Sequence, residues 1–474
     1  MSESDIRLSE AEAATPAPID HLHDEDDRLR PEYVGEVIEK VEAGDIDGAR
    51  ALVEPLHPAD IADLFELVDR DERRALAAAL ADLLDGDVLA EMNDWVRDEL
   101  LDALDPRQVA EIAGELETDD AVAIIEDMEE EEQRAVLRAL DPDDRAAIEE
   151  ALSYPEETAG RLMRRDTVAV PEHWTVGHVI DFLRADDEMA TDFWEVFVVD
   201  PAHRPVGTCL LSWILRTPRR IAVADVMQRE QTLIPVEMDQ EEVALRFQKY
   251  ALISAAVVDQ AGRLVGMITV DDIVHIIQEE ASEDAMLLSG AGVEGDINEP
   301  VKDSYKARVR WLGANLVTAL VASTIIFLFG AAIEKMVALA VLMPIVASIG
   351  GNAGTQTMAV SVRALAMNQL TRSNTWRTIW RELSVALLNG ITIAILLGIG
   401  AALVFSNWQL GAVIAAAMMI NIVIAGLSGV IVPVVLERAG QDPAVSSSVF
   451  VTMITDSMGF LAFLGLAVVT GLVG

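Results

Sequence analysis

Cysteine occurs once in the 474 residues, at Cys209, so the chain can close no disulfide within itself and build no thiolate metal cluster. Histidine is nearly as scarce. Seven are present, and the one close pair, His21-x-His23, lies in an acidic stretch that reads as solvated tail rather than as a metal site. The chain has no Gly-x-x-x-x-Gly-Lys-Ser/Thr phosphate loop and no hydrolytic constellation, which points away from an enzyme. Basic residues are few: 35 Lys and Arg stand against 80 Asp and Glu, for a net charge of -45. An acidic excess of this size repels phosphates, excludes nucleic acid as a partner, and fits cations or solubility at high salt. The first 30 residues, with Asp24 to Asp27 and little apolar character, lack the basic start and apolar core of a secretory signal, so the front half is expected in the cytosol.

Acid is scarce in one part of the chain in particular. Residues 304–474 hold nine Lys and Arg and five Asp and Glu, which leaves residues 1–303 with a net charge of -49. The sequence is 51% hydrophobic, with mean hydropathy +0.29, and the apolar residues gather in the tail. Trp311 to Gly330, Met336 to Val362, Leu383 to Asn407 and Trp408 to Leu436 carry no charge, and each reaches the ~20 residues a hydrocarbon core requires. A fifth stretch, from Pro443 onward, carries only Asp456. Five spans are therefore predicted. Lys306, Arg308, Arg310, Arg363, Arg372, Arg377, Arg381 and Arg438 fall on one side and only Lys335 on the other. That bias puts the acidic front half in the cytosol and the C-terminus outside.

The second span contains Pro344 and the run Ser348-Ile349-Gly350-Gly351-Asn352-Ala353-Gly354-Thr355-Gln356, a poor continuous helix by local propensity. A broken span would free backbone groups that only protein or a water-lined pathway can satisfy. Small residues packing helix on helix are the other reading, and both stay open.

Residues 31–155 read as helix throughout, with Pro58, Pro106 and Pro142 just inside the expected helix starts. From Met163 to Glu280 the chain is duplicated. Val198-Val199-Asp200-Pro201-Ala202-His203-Arg204-Pro205-Val206-Gly207 returns 59 residues later as Val257-Val258-Asp259-Gln260-Ala261-Gly262-Arg263-Leu264-Val265-Gly266. Each copy reads strand, helix, strand, turn, strand, helix. With the string Gly266-Met267-Ile268-Thr269-Val270-Asp271-Asp272, this resembles a tandem of cystathionine-β-synthase (CBS) domains. The resemblance implies that Thr269 and Asp272 could hold the ribose of an adenosine nucleotide. Leu210 and Trp213 stand at those places in the first copy, so ATP binding and a purely structural role both stay open.

Asp456 lies twelve residues beyond Ala444, about 18 Å along a helix and so near mid-membrane. A lone carboxylate at that depth is costly and marks a functional site facing water and a cation. Mg²⁺ gives up its inner waters reluctantly and is held by one or two carboxylates, which suits a symmetric dimer presenting two copies of Asp456.

Pro344 with Gly350-Gly351-Asn352-x-Gly354-x-Gln356, then Asp442-Pro443-Ala444, then Thr455-Asp456 with Gly459, resemble the MgtE magnesium channel family, as does the order of parts. The resemblance implies a multidomain fold: an all-α superhelical N-terminal domain, α/β tandem CBS domains and an all-α five-helix transmembrane domain. The expected boundaries are a disordered acidic tail (1–30), the helical domain (31–155), the CBS domains (156–220 and 221–280), a connecting plug helix (281–305) and the membrane domain (306–474). It further implies a homodimer in the cell inner membrane whose pore, lined by spans two and five, binds hydrated Mg²⁺ at Asp456. Asn352, Ser448, Thr452 and Thr455 are its pore-lining neighbours, with Ser448 standing where the family carries Asn. Carboxylates carried over as a cytosolic Mg²⁺ sensor are Asp87, Asp119, Asp239, Asp272, Glu280, Glu283 and Asp284. Another acid of the family's pattern is replaced by Ala251.

Physically, two cytosolic halves of charge -49 should repel, because even at a Debye length of about 8 Å partly buried contacts are screened incompletely. Mg²⁺ bridging carboxylates would favour a compact form and shut the pathway. Two other readings remain at this stage: an ion-coupled secondary transporter of divalent cations such as Mg²⁺, Co²⁺ or Mn²⁺, and a nonconducting membrane sensor that reports nucleotide state.

Overall fold

A computed structural model describes residues 22–24, 28–102, 104–126, 128–185, 193–290 and 299–473. Most of the acidic start, His21 included, lies outside the described residues. His23 lies within them, its Nε2 3.0 Å from Asp60 Oδ1. The chain divides into two units, Met1–Ile276 and Ile277–Gly474.

The first unit opens with a run of helices from α1 (Pro31–Glu42) to α10 (Pro142–Ala151). The prolines do what their positions suggest. Pro58, Pro106 and Pro142 each occupy the first turn of a helix, where a missing N–H costs nothing. Asp105 closes a capping box with Gln108 at the start of the helix Pro106–Glu115. Apolar positions at helical spacing, among them Val37, Phe65, Leu76, Val96 and Ile125, form one core.

The duplicated segment follows as two sheets of the same design. Strands β1 (Ala169–Pro171), β2 (Glu195–Val199) and β3 (Pro205–Leu210) form the first, and β4 (Leu233–Pro235), β5 (Ser254–Val258) and β6 (Leu264–Thr269) the second. In each, the first pair is parallel and the second antiparallel, with Val198 opposite Gly207 and Val257 opposite Gly266. The hairpin turns match as well. Asp200 Oδ1 accepts from the backbone of Ala202 and Arg204, and Asp259 Oδ1 from Ala261 and Arg263. Helices α11 (Val176–Ala185), α12 (Leu211–Arg216), α13 (Gln240–Tyr250) and α14 (Val270–Ser289) complete the two repeats, and Phe197, Val199, Ala256, Leu264 and Met267 form a small apolar core that both sheets supply.

Cys209 is fully buried in β3, and burial pushes its thiol up to about 11. The thiolate is the reactive species, so the native protein is expected not to react with a thiol reagent at pH 8 and to react completely once unfolded, as absorbance titration would read.

Five helices of the second unit are long and apolar enough to cross a membrane. They are α15 (Val301–Leu328), α17 (Val337–Ala366), α18 (Thr375–Val404), α19 (Trp408–Arg438) and α20 (Pro443–Val469), with the short α16 (Gly330–Lys335) between the first two. The expected plug segment, 281–305, holds the end of α14 and the start of α15, and residues 291–298 between them lie outside the described residues. Small residues let the membrane helices close on α19. Gly398 of α18 meets Gly411 and Ala415, Gly426 meets Ala386, and Gly429 meets Thr357 and the Gly354 carbonyl, approaches too close for any side chain at the glycine.

Of the two readings of the second span, the break is ruled out and the packing one holds: α17 is one helix through Pro344 and the whole glycine run. Its glycines are sites of close packing. A Cβ at Gly350 would lie 2.0 Å from Asn421 Nδ2, and one at Gly354 would lie 2.6 Å from Val451. The helix continues past Pro344, which removes one backbone bond, and the glycines offset their low helix propensity by contact with α19 and α20.

Candidate ion pathway and carboxylate cluster

In α20, Ser448, Thr452 and Asp456 follow one another at four-residue spacing and so share one face. Thr452 is exposed, and Ser448 and Asp456 are partly so. The adjoining face is buried: Val451 and Thr455 pack against Gly354 of α17, and Thr455 Oγ1 donates to the Thr452 carbonyl at 3.1 Å. In α17, Ser348, Asn352, Thr355 and Gln356 make a second exposed polar stripe. Among the described residues Asp456 has no hydrogen-bond or ion-pair partner. Two polar stripes and a carboxylate, on helices that touch at Gly354, are thus left on the outside of the membrane unit. Lipid cannot satisfy them.

The two helices are held by a residue that sequence reasoning missed. Asn421 of α19 is fully buried, and its Nδ2 donates to the Val346 carbonyl of α17 at 3.0 Å. Gly350 of α17 and Gly459 of α20 both lie against its amide. Gly350→Val is therefore expected to destabilise the membrane unit by about 1–3 kcal/mol through overpacking, read as a lowered thermal midpoint in detergent. The same change at Gly351, whose Cβ would meet nothing within 4 Å, should be close to neutral.

Asp456, itself only half-buried, is not the sole carboxylate in the spanning helices, contrary to expectation. The third span begins at Thr375 rather than Leu383, and it includes Glu382, 6% exposed, with Arg381 Nη1 2.5 Å from its Oε1. Glu382 lines a crevice of about 200 Å³ between α17, α18 and α19, together with Gln356, Thr357 and Asn389.

In the first unit, acids from two domains converge. Glu117, just before α8 (Thr118–Glu126), and Asp119 and Asp120 within it present carboxylate oxygens within 4.8 Å of one another. Asp271 and Asp272 of α14 meet them through Arg164, which contacts Glu117, Asp119, Asp271 and Asp272. Burial pushes Glu117 up to about 6 and, with the Asp272 charge, Asp120 to about 6. Asp119, more deeply buried and facing Asp272 and Asp120, is raised well above the carboxylate range. Asp119 Oδ1 is buried without a partner among the described residues. Asp87 is exposed at the start of the short helix Gly86–Ala90 and, with Glu91, adds to the field on Asp120.

The sequence-predicted set is thus only partly assembled. Asp119 and Asp272 come together, Asp87 stands near, and Glu117, Asp120 and Arg164 join them without any local sequence signal. Asp239 caps α13, its Oδ1 accepting from Glu241 N–H at 2.9 Å, while Ala251 ends that helix in a left-handed turn at φ 50°. Glu280, Glu283 and Asp284 lie on the later turns of α14, in the second unit. Asp284 is raised by burial and by the charge of Asp442, the cap of α20. Thr269 Oγ1 donates to Asp272 Oδ2 at 2.8 Å. At the matching places of the first repeat, Leu210 and Trp213 offer no such pair.

Comparison with known proteins gives matches along most of the chain. The family profile described as divalent cation transporter covers residues 343–466, that of the MgtE intracellular N domain 56–157, and that of the CBS domain 223–279. The chain is 28% identical over 437 residues to the magnesium transporter MgtE of Bacillus subtilis (strain 168), covering 92% of this chain and 97% of the relative. It is 32% identical over 435 residues to the magnesium transporter MgtE of Thermus thermophilus, covering 90% and 96%. Among solved structures it is similar to the cytosolic domain of the Mg²⁺ channel MgtE in complex with ATP, at 31% identity and TM-score 0.47, over 51% of this chain and 99% of that one.

Proposed function

The chain belongs to the MgtE family of magnesium transporters, and from that premise we propose that it forms a homodimeric Mg²⁺ channel whose conduction is reduced by Mg²⁺ on the cytosolic face. It is a multi-pass membrane protein that transports Mg²⁺. The observation that carries the dimer is the unpartnered polar surface of one protomer. Ser448, Thr452 and Asp456, with Asn352 and Gln356, cannot face hydrocarbon, whereas a second copy would enclose them round water and give the ion two carboxylates. The front half then lies in the cytosol and the C-terminus outside, with the cell inner membrane as the membrane crossed.

Gating follows from the convergence of acids. A cytosolic half of charge -49 that partly buries Glu117, Asp119 and Asp120 beside Asp272 is stabilised by any divalent ion that enters, and Asp87 adds to the attraction. Asp239, Glu280, Glu283 and Asp284 extend the proposed sensor beyond that cluster. Mg²⁺ then selects the closed population, as feedback on the ion's own entry. In this arrangement both oxygens of Asp272 are taken by Arg164 and Thr269, so a ribose would have to displace the arginine. The second repeat therefore serves first as a scaffold, and nucleotide second.

Proteoliposome flux with low and then millimolar Mg²⁺ on the cytosolic face tests the whole reading. Uptake at low Mg²⁺ that falls at high Mg²⁺ supports it. Flux that follows a proton or Na⁺ gradient with fixed stoichiometry would replace the channel by a coupled transporter.

A further inference from the structure

Arg164 is 7% exposed, and its backbone is fixed on the edge of the second repeat: its N–H donates to the Met267 carbonyl at 2.8 Å and its own carbonyl accepts from Met267 N–H at 2.9 Å. From that anchor the guanidinium reaches four carboxylates. Nε donates to Asp272 Oδ2 at 3.2 Å and to Asp119 Oδ2 at 3.3 Å. Nη2 donates to Asp271 Oδ2 at 3.0 Å and also to Asp272 Oδ1, and Nη1 meets Glu117. Asp271 and Asp272 belong to the repeat that anchors the arginine, while Glu117 and Asp119 belong to the helical domain. We propose that Arg164 is a resident cation that holds the helical domain against the second CBS repeat without metal, doing permanently part of what a dissociable divalent ion does.

Two pairs of carboxylates from two bodies would otherwise face one another across a partly dry contact. A guanidinium is always charged, and its planar fork of five donors can serve several carboxylates at once. It also cannot leave, whereas the occupancy of a metal follows concentration. Removing it would leave the facing acids uncompensated, the case in which breaking a buried ion pair costs most. One positive charge does not saturate the cluster. Asp119, its side chain 10% exposed, still has a buried oxygen without a partner among the described residues. The arginine therefore sets the resting state and a divalent ion adds to it. The consequence rests on the gating reading above: this cytosolic half starts partly closed, and its response to Mg²⁺ is shallower than that of a cluster made of acids alone.

Hydrogen exchange on the full chain in detergent, first with chelator and then with millimolar MgCl₂, tests this. Arg164→Gln is expected to speed exchange in α8 on the order of ten-fold in metal-free buffer, Arg164→Lys to lie between, and Mg²⁺ to restore most of the protection. Exchange in β5 and β6 reports whether the repeat stays folded. If it does not, Glu117→Gln decides the matter, since it removes a cross-domain partner and leaves Asp271 and Asp272 on the arginine. Faster α8 exchange without metal supports the clasp, and unchanged exchange overturns it. If the metal-free difference persists while neither protein responds to Mg²⁺, the clasp stands and the gating reading falls.

Discussion

Asp456→Ala is expected to lower Mg²⁺ flux in proteoliposomes by about a hundredfold or more, with no loss of cytosolic Mg²⁺ binding. One carboxylate at about 5 Å from a divalent ion gives a gross attraction of roughly 7 kcal/mol at an effective dielectric near 20, and the second copy in the proposed dimer would double it before desolvation is subtracted. Each 1.4 kcal/mol of the net is about a factor of ten. A monovalent ion gains half as much, so the variant should lose discrimination along with rate. Asp456→Asn preserves size and hydrogen bonding and should fail almost as badly, which separates charge from shape. Asp456→Glu should keep part of the activity. Thr455 and Val451 seat this turn of α20 on Gly354 whatever stands at position 456, so thermal stability should change little. Wild-type flux in Asp456→Ala would remove the carboxylate from the pathway.

Features carried by local chemistry were readable in the sequence. Proline at a helix start needs no tertiary partner, so Pro58, Pro106 and Pro142 marked their helices correctly. The repeat was visible because the same aspartate-anchored hairpin recurs 59 residues apart, and both sheets reproduce it in register. Asp456 stood out as the one charge in an apolar run. Where the decisive partner is remote, local signals misled or fell silent. Glycine and proline argued for a break in α17, yet the residue that makes its glycines useful, Asn421, comes from another helix 75 residues after Val346. Charge alone puts the span boundary at Leu383, whereas the helix starts at Thr375 and carries Glu382 inward beside Arg381. Arg164 carried no signal at all, since its partners Asp119 and Asp272 lie 45 and 108 residues away. Family resemblance points to those two aspartates, while Glu117 and Asp120 look like any acids on a solvated helix face until folding partly buries them.

The partly buried acids make a second large effect, in which protons and Mg²⁺ stand in for each other. Glu117 and Asp120 rise to about 6 from ordinary values of 4.5 and 3.8 through burial, and Asp119 rises further. A carboxyl whose folded value is raised takes up a proton on folding, so its unfavourable contribution is fully present above the folded value and relieved as pH falls through it. In metal-free buffer the thermal midpoint of the cytosolic half should therefore rise as pH is lowered from 7.5 towards the about 6 at which Glu117 and Asp120 titrate. Millimolar Mg²⁺ should flatten that slope by supplying the charge the protons supplied. Glu117→Gln with Asp119→Asn and Asp120→Asn should flatten it with no metal present. In flux assays the same triple variant should need on the order of ten-fold more cytosolic Mg²⁺ for half-inhibition, the size of a coupling free energy of one to a few kcal/mol. Differential scanning fluorimetry across pH reads the first effect and proteoliposome uptake the second. A variant that keeps the wild-type pH slope would place the titrating groups elsewhere, and one that keeps the wild-type inhibition curve would show that this cluster does not gate the pore.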